Sequence, residues 1–296
     1  MSVKEHIVTF EGLDAKALPL AALSGLSSWL AEVLDRAMRL RVEGRSSARG
    51  GVPAWLTASR DVRLVELRSG SVQLVLAAQP LVETNPDLFV QGDLFQDAPS
   101  PDETPVDVLV DSLRDAVAGN RDSNRLDQPL LESLLRARAL FDLGVTGVTV
   151  LDTHPVEVRA PDLTRIEALA SSAPTPRVER VVGTLDSLRM STGAFWLESA
   201  DRTRLRGILP SAALPASRSL LGETVVIEGT ISFKPSGSPL RIEAHAIRAA
   251  AAADAAWSRG PRRNAPRAAT GSSWLDAAWP GDESDDVVEK SLREQS

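Results

Sequence analysis

The chain has 296 residues, no cysteine and a formal net charge of −7 at pH 7, and 43% of its residues are hydrophobic. Its length and apolar content predict two folded units and a tail, and the lack of cysteine excludes disulfides, thiolate metal sites and thiol catalysis. Because the first residues, "MSVKEHIVTFEGLD", contain no apolar signal-peptide stretch and no run approaches the roughly 18 apolar residues that cross a bilayer, we expect a cytoplasmic protein without membrane contact.

The N-terminal region is predicted to begin with a strand, a long helix and a hairpin. "HIVTFEG" is rich in β-formers and closes at Gly12. Apolar residues recur at helical spacing in "LPLAALSGLSSWLAEVLDRAMRLRVEG", which predicts an amphipathic helix. A loop, "RSSARGGVPAW", follows, and then two alternating runs flank Ser69-Gly70. This last pattern predicts a β-hairpin.

Further helices and strands complete a predicted α+β unit over residues 1–170. After a loop rich in Pro and Asp, Thr104 and Pro105 supply the N-cap and first position of a helix, "PVDVLVDSLRDAVAG". A second helix, "QPLLESLLRARALFDLG", two strands, "GVTVL" and "VEVRA", and a short helix near "PDLTRIEALA" follow. Because strands and helices do not alternate regularly, we do not expect a parallel doubly wound sheet.

A five-stranded barrel is predicted for residues 177–249, after a linker, "SSAPTP". Three strands, an irregular connector and two more strands follow one another within this segment, which is the order of the OB barrel. Gly183 and Gly229 fall inside predicted strands, where such barrels need bends or bulges. We therefore expect an OB-like barrel behind the α+β unit.

The last part of the chain is predicted to be a basic disordered linker, residues 250–273, and a partner-binding tail, residues 274–296. In the tail, Pro280-Gly281 favours a turn, and Ser284 is a suitable N-cap for a short amphipathic helix. A helix of about twelve residues is marginal in isolation and forms stably only when docked. Its tryptophans could pack on this chain's own units or anchor the tail in a partner's groove. The predicted partner-binding residues are Trp274, Trp279, Pro280, Gly281, Val287, Val288, Lys290, Leu292 and Arg293.

No pattern in the sequence indicates an enzyme. His6, His154 and His245 are far apart, and none has a second ligand at metal spacing. "VEGRSSARGG" lacks the spacing of the phosphate-binding glycine motifs. We therefore expect no catalytic residue, no metal and no cofactor.

The predicted barrel offers an alternative function, the binding of a single-stranded nucleic acid. Such barrels carry aromatic and basic side chains on their second and third strands. Phe195 and Trp196 point to opposite faces of one strand, so only one of them can stack on a base. The candidate residues for this function are Trp196, Arg204, Arg206, Phe233 and Lys234.

The tail resembles the C-terminal segments of bacterial antitoxins that are paired with PIN-domain ribonuclease toxins. The resemblance rests on "WPGDES" followed by a short acidic helix, and it covers residues 274–296 only. The body, including "RVEGRSSARGGVPAWL" and "PDLFVQGDLF", is similar to bacterial proteins without an assigned activity. It departs from small antitoxins because it shows no helix-turn-helix or ribbon-helix-helix pattern, and this departure puts autorepression of an operon in doubt.

The resemblance implies a mechanism in which the tail blocks the toxin's active site. PIN toxins hold a divalent metal with a cluster of carboxylates and cut RNA. The apolar tail residues would lie in a groove beside that cluster, and Lys290 or Arg293 would offer a cation to it, with Arg262 and Arg263 as further candidates. The neighbouring acidic residues of the tail would serve the turn and the helix cap. The long helices of the body leave a homo-oligomer open.

Overall fold

The computed structural model describes residues 3–47, 51–68, 71–89, 98–151, 155–190 and 192–257, and it contains an α+β unit followed by a closed barrel, as predicted. The strands of the α+β unit are β1 (Lys4–Asp14), β2 (Arg63–Arg68), β3 (Ser71–Ala78), β4 (Gly147–Leu151) and β5 (Val156–Arg159). Its helices are α1 (Leu20–Glu43), α2 (Ala54–Ser59), α3 (Leu81–Thr84), α4 (Pro105–Val117), α5 (Gln128–Leu135), α6 (Arg138–Asp142) and α7 (Ala160–Ser172).

The five strands of the N-terminal unit form one antiparallel sheet in the order β2-β3-β1-β4-β5. The predicted hairpin is confirmed as β2 and β3, while its turn residues lie outside the described part of the chain. Alternate residues of the sheet, such as Val8, Phe10 and Leu74, share one apolar core with α1, α4, α5 and α7. The sheet and this helical layer enclose the main core of the molecule.

Helix α1 is the longest helix in the described chain and packs against α4 and α5. Leu26, Leu30, Val33 and Ala37 recur at helical spacing and are buried, as the apolar periodicity predicts. Gly44 caps the C-terminal end of the helix: its φ of 79° is in the left-handed region, and its N–H donates to the carbonyl of Leu40 at 2.8 Å.

Two segments of the N-terminal unit differ from the expected elements. The helix predicted over residues 128–144 is divided into α5 and α6, because the N–H groups of Arg136 and Ala137 bond carbonyls only three residues back and tighten the turn. Part of the predicted loop before β2 forms helix α2, whose Leu56 is buried in the main core. Neither the tightened turn nor the burial of Leu56 produces a periodic pattern in so short a segment, so the sequence does not reveal them.

The barrel closes in the strand order expected for an OB-like fold. Its strands are β6 (Arg177–Leu188), β7 (Ala194–Glu198), β8 (Arg204–Ile208), β9 (Thr224–Phe233) and β10 (Pro239–Ala249). They are arranged β10-β8-β7-β6-β9, with β8 and β10 parallel and the other pairs antiparallel. A connector that contains the short helix α8 (Leu214–Ser217) joins β8 to β9.

The glycines predicted at bends lie where strands of the barrel approach closely. A Cβ on Gly183 would stand 2.6 Å from the carbonyl oxygen of Glu198, and a Cβ on Gly229 would overlap the carbonyl oxygen of Glu243. The register of β9 with β10 shifts just beyond Gly229, and the register of β6 with β7 shifts after Leu185. These positions exclude larger side chains for reasons of space.

The described chain ends in a 3₁₀ helix, Ala252–Trp257, that lies against β6. This helix occupies residues 252–257 of the segment predicted to be a disordered linker. The remainder of the linker and the whole tail, including every predicted partner-binding residue, lie outside the described residues.

Candidate interaction surfaces

The outer face of the barrel carries a row of large polar and aromatic side chains. Trp196 on β7 lies opposite Arg206 on β8, and Arg206 lies beside Arg241 on β10. Their neighbours along the strands, Phe195 and Ile242, point inward and are buried in the barrel core. The row therefore runs across the face that OB barrels commonly use for ligands.

The N-terminal unit covers this row at the C-terminal end of α1. The Arg206 guanidinium donates to the carbonyls of Arg41 and Val42 at 3.1 and 2.8 Å, and Arg241 donates to the carbonyl of Gly44 at 2.6 Å. The last carbonyls of a helix have no partner within the helix and carry the negative end of its dipole. Two arginines of the barrel therefore cap helix α1 of the preceding unit.

Asp127 links three parts of the molecule in the same interface. Its carboxylate accepts hydrogen bonds from the N–H and hydroxyl of Ser46 at 2.9 and 2.6 Å and from the N–H of Leu130 at 3.1 Å, where it caps α5. Arg241 donates to it at 3.2 Å, and the side chains of Asp127 and Arg241 are only 4% and 6% exposed. A buried carboxylate is tolerated when its oxygens are satisfied in this way.

The turn between β9 and β10 makes a second contact with the N-terminal unit. Lys234 donates to the carbonyl of Asp122 at 3.0 Å, and the N–H of Ser236 donates to the carbonyl of Arg121 at 3.0 Å. Arg121 donates in return to the carbonyl of Pro235 at 3.1 Å. The turn is thus held against the segment that joins α4 to α5.

These contacts change the interpretation of the candidate nucleic-acid residues. Arg206 is 8% exposed in the interface, and Phe233 is 3% exposed in the barrel core, so neither side chain is open to a ligand in this structure. Lys234 is held by Asp122, and exposed Arg204 lies 3.6 Å from both Asp186 and Glu198. Half-buried Trp196 lies beside the interface. The structure does not assemble the five residues into one open basic face.

The N-terminal unit contains an apolar groove of about 480 Å³ between α1, α2 and the β2–β3 hairpin. Buried Leu30 and Leu34 of α1 line its floor, and half-exposed Leu64 lies at the β2 side. Asp35 and Arg60 also line the groove, where a hydrogen bond from Arg60 to Asp35 raises the pKa of the guanidinium.

The two histidines that the structure describes lie in different units, His6 on β1 and His245 on β10. His6 is buried, and its Nε2 lies 2.9 Å from the hydroxyl of Thr104, the residue that caps α4. His245 lies 3.2 Å from the Thr230 hydroxyl on the barrel, and His154 is outside the described residues. In the described part of the chain, no three His, Asp or Glu side chains are grouped so that they could hold a metal ion. No helix within the described ranges is long and apolar enough to cross a membrane.

The end of the described chain is held to the barrel by one ion pair. Both terminal nitrogens of Arg248 donate to Asp254, at 2.6 and 2.8 Å, and the N–H of Ala251 donates to the same carboxylate at 2.8 Å. The hydrogen bonds from Arg248 and Ala251 hold the pKa of Asp254 well below its ordinary value.

No family model and no curated protein matches the chain.

Proposed function

We propose that this protein is a non-enzymatic, antitoxin-like binding protein whose tail, residues 274–296, binds and neutralises a PIN-type ribonuclease. The sequence of the tail supports this function. Trp274 and Trp279 are large anchors of the kind that dominate protein interfaces, and the residues after Pro280-Gly281 have the charges and apolar spacing of a short helix that forms on docking.

The single structural observation that supports the proposal is the anchored start of the linker. Arg248 and Asp254 fix the chain to the barrel just before residue 258. Composition predicts that residues 258–273 are flexible, and a flexible chain of this length spans about 20–25 Å on average. The tail would therefore search for its groove within a short radius of the barrel, which raises its effective concentration at a partner that also touches the body.

The tail is proposed to act by occlusion and charge. Trp274, Trp279, Val288 and Leu292 would fill an apolar groove of the ribonuclease, and Lys290 or Arg293 would face its metal-binding carboxylates. A cation at that place competes with the metal for the same charge. The acidic residues between Gly281 and Val287 would stay at the helix N-terminus, where negative charge is favourable.

The covered face of the barrel favours this function over nucleic-acid binding. Arg206 and Arg241 cap α1, so an oligonucleotide would have to displace the N-terminal unit to reach them. Binding of single strands by the barrel is therefore the alternative outcome of the test below.

The test is co-expression with the product of the reading frame beside this gene, which we expect to be a PIN-type ribonuclease. We expect the full chain to copurify with it and to suppress its cleavage of RNA, and we expect truncation after Thr270 or the double substitution W274A/W279A to abolish both effects. Glu294→Gln in the same tail is the matched control and should neutralise normally.

Two results would overturn the proposal. One is full neutralisation by the chain truncated after Thr270. The other is the lack of a PIN-type reading frame beside the gene together with salt-dependent binding of the full chain to a single-stranded oligonucleotide, which would assign the function to the barrel.

A further inference from the structure

Strand β2 is an edge of the N-terminal sheet and is exposed on both of its faces. In the described chain it pairs on one side with β3, and no other strand lies on its far side. Leu64, Val65 and Leu67 are 51%, 54% and 43% exposed. An exposed edge with apolar side chains is a template for pairing with another strand.

A bulge in β2 divides its side chains between the two faces. Leu64 pairs with Leu76 and Glu66 pairs with Val75, so Val65 is an extra residue. Leu64 therefore lies on the face of the apolar groove, while Arg63 and Glu66 lie on the opposite face. Without the extra residue, Arg63 and Glu66 would point to opposite faces because they are three positions apart.

The charges along this strand are self-complementary when it is read in the reverse direction. Asp61, Arg63, Glu66 and Arg68 alternate in sign, and their side chains are between 40% and 72% exposed. An antiparallel copy centred between Leu64 and Val65 places Asp61 opposite Arg68 and Arg63 opposite Glu66. Each charge then meets an opposite charge, and opposite charges stabilise neighbouring strands when they face each other.

The apolar residues agree with the same alignment. It places Val62 opposite Leu67 of the second copy, on the face where Val62 and Leu64 already line the groove. Pairing would cover the exposed side chains of the edge and would extend the apolar groove of each copy across the junction. One register thus satisfies both the charges and the apolar residues.

We propose that the protein forms a two-fold symmetric dimer in which β2 pairs antiparallel with β2 of a second copy, joining two five-stranded sheets into one of ten strands. This symmetric contact uses the same surface on both copies, as a closed dimer requires. It is independent of the tail and of the function proposed for it.

The test uses the full-length chain and two single charge reversals, Arg63→Glu and Glu66→Arg. By sedimentation velocity over a range of concentrations at low salt, we expect the wild-type chain to dimerise. Each variant alone should dissociate at least tenfold more readily, because each places two pairs of like charges across the two-fold axis.

Mixing the two variants provides the decisive measurement. In a mixed dimer, the glutamate introduced in one variant faces the arginine introduced in the other, and the unchanged Glu66 of the first faces the unchanged Arg63 of the second, so we expect the dimer to return. A folding defect in either variant would be present in the mixture as well as in the separate samples. A return of the dimer on mixing is therefore not explained by folding. Arg138→Glu, which breaks the exposed ion pair with Glu167, is the matched control and should leave the dimer intact.

A monomeric wild-type chain at about 100 µM would overturn the proposal. So would a dimer that persists in both single variants, since it would arise from another surface, or a mixture that stays monomeric.

Discussion

At the scale of single residues, the buried carboxylate of Asp127 supports several contacts with one charge. It accepts from Ser46, Leu130 and Arg241 in a site closed to water. We predict that Asp127→Asn lowers the free energy of unfolding by about 2 kcal/mol, because the buried Arg241 guanidinium loses one of its two carboxylate partners and keeps Glu243, which is 37% exposed. Urea denaturation measures this loss. The exposed substitution Asp142→Asn is the control, and a loss below about 0.5 kcal/mol for Asp127→Asn would contradict the prediction.

The contribution of Asp254 to the stability of the fold depends on pH. Because Arg248 and the N–H of Ala251 depress its pKa in the folded protein, the ionised carboxylate stabilises the fold above its ordinary pKa of 3.8, and this contribution is lost as the pH falls below that value. Asp254→Asn should therefore destabilise the protein at pH 7, and the difference from wild type should shrink progressively below about pH 4.

The measurement is thermal unfolding of both proteins between pH 7 and pH 3. Arg248→Gln removes the same ion pair from the other side and should reproduce the pH 7 destabilisation. A difference between Asp254→Asn and wild type that stays constant over this pH range would show that the carboxylate's charge is not its source.

At the scale of elements, the closure of the barrel depends on strands that approach more closely than side chains allow. Gly229→Ala places a methyl group against the backbone carbonyl of Glu243, where no side chain can move aside. We predict a loss of about 2 kcal/mol or more in unfolding free energy. Gly51→Ala is the control because a Cβ there meets nothing within 4 Å. Equal stability of the two variants in urea would contradict the prediction.

The barrel could be predicted because three alternating strands, a connector and two more strands are typical of one closed topology, although β6 pairs with β9 and β8 with β10 across longer stretches of chain. The strand order of the N-terminal sheet could not, because β1 pairs with β3 and with β4, which is far from it in sequence. The exposed edge at β2 follows from that order. The alternating pattern of β2 in the sequence shows only that one face of the strand is apolar, and it does not show which strands lie beside β2.

The burial of Arg206 could not be predicted for a related reason. Alternation correctly places it on the outside of the barrel, next to inward-pointing Leu205. Its partners, the carbonyls of Arg41 and Val42, are more than 160 positions away, and no local pattern marks a barrel face that another unit covers. Sequence therefore locates the side chain on a face of its strand, and only the packing of the two units decides whether solvent or protein meets it.

At the scale of the whole molecule, the N-terminal unit and the barrel are joined more firmly than a flexible linker would allow. The predicted linker, residues 171–176, begins within α7, and its Ser172 and Ala173 are buried. The guanidinium groups that cap α1 and the ion pair of Asp127 with Arg241 are polar contacts between the two units. In each of them, one partner lies in the N-terminal unit and the other in the barrel. A buried cap is lost as soon as either unit opens, so opening one unit removes stability from the other.

We therefore predict that the two units unfold in one transition, and that the double substitution R206A/R241A separates it into two. In the variant the last carbonyls of α1 and the Asp127 carboxylate lose their partners in the barrel, while both apolar cores stay intact. Hydrogen exchange followed by mass spectrometry in increasing urea measures the protection of each unit separately. Arg204→Ala, which changes an exposed arginine on the same strand as Arg206, should keep the single transition. If barrel and sheet lose protection at different urea concentrations in the wild-type chain, or at the same concentration in R206A/R241A, the coupling does not run through these arginines.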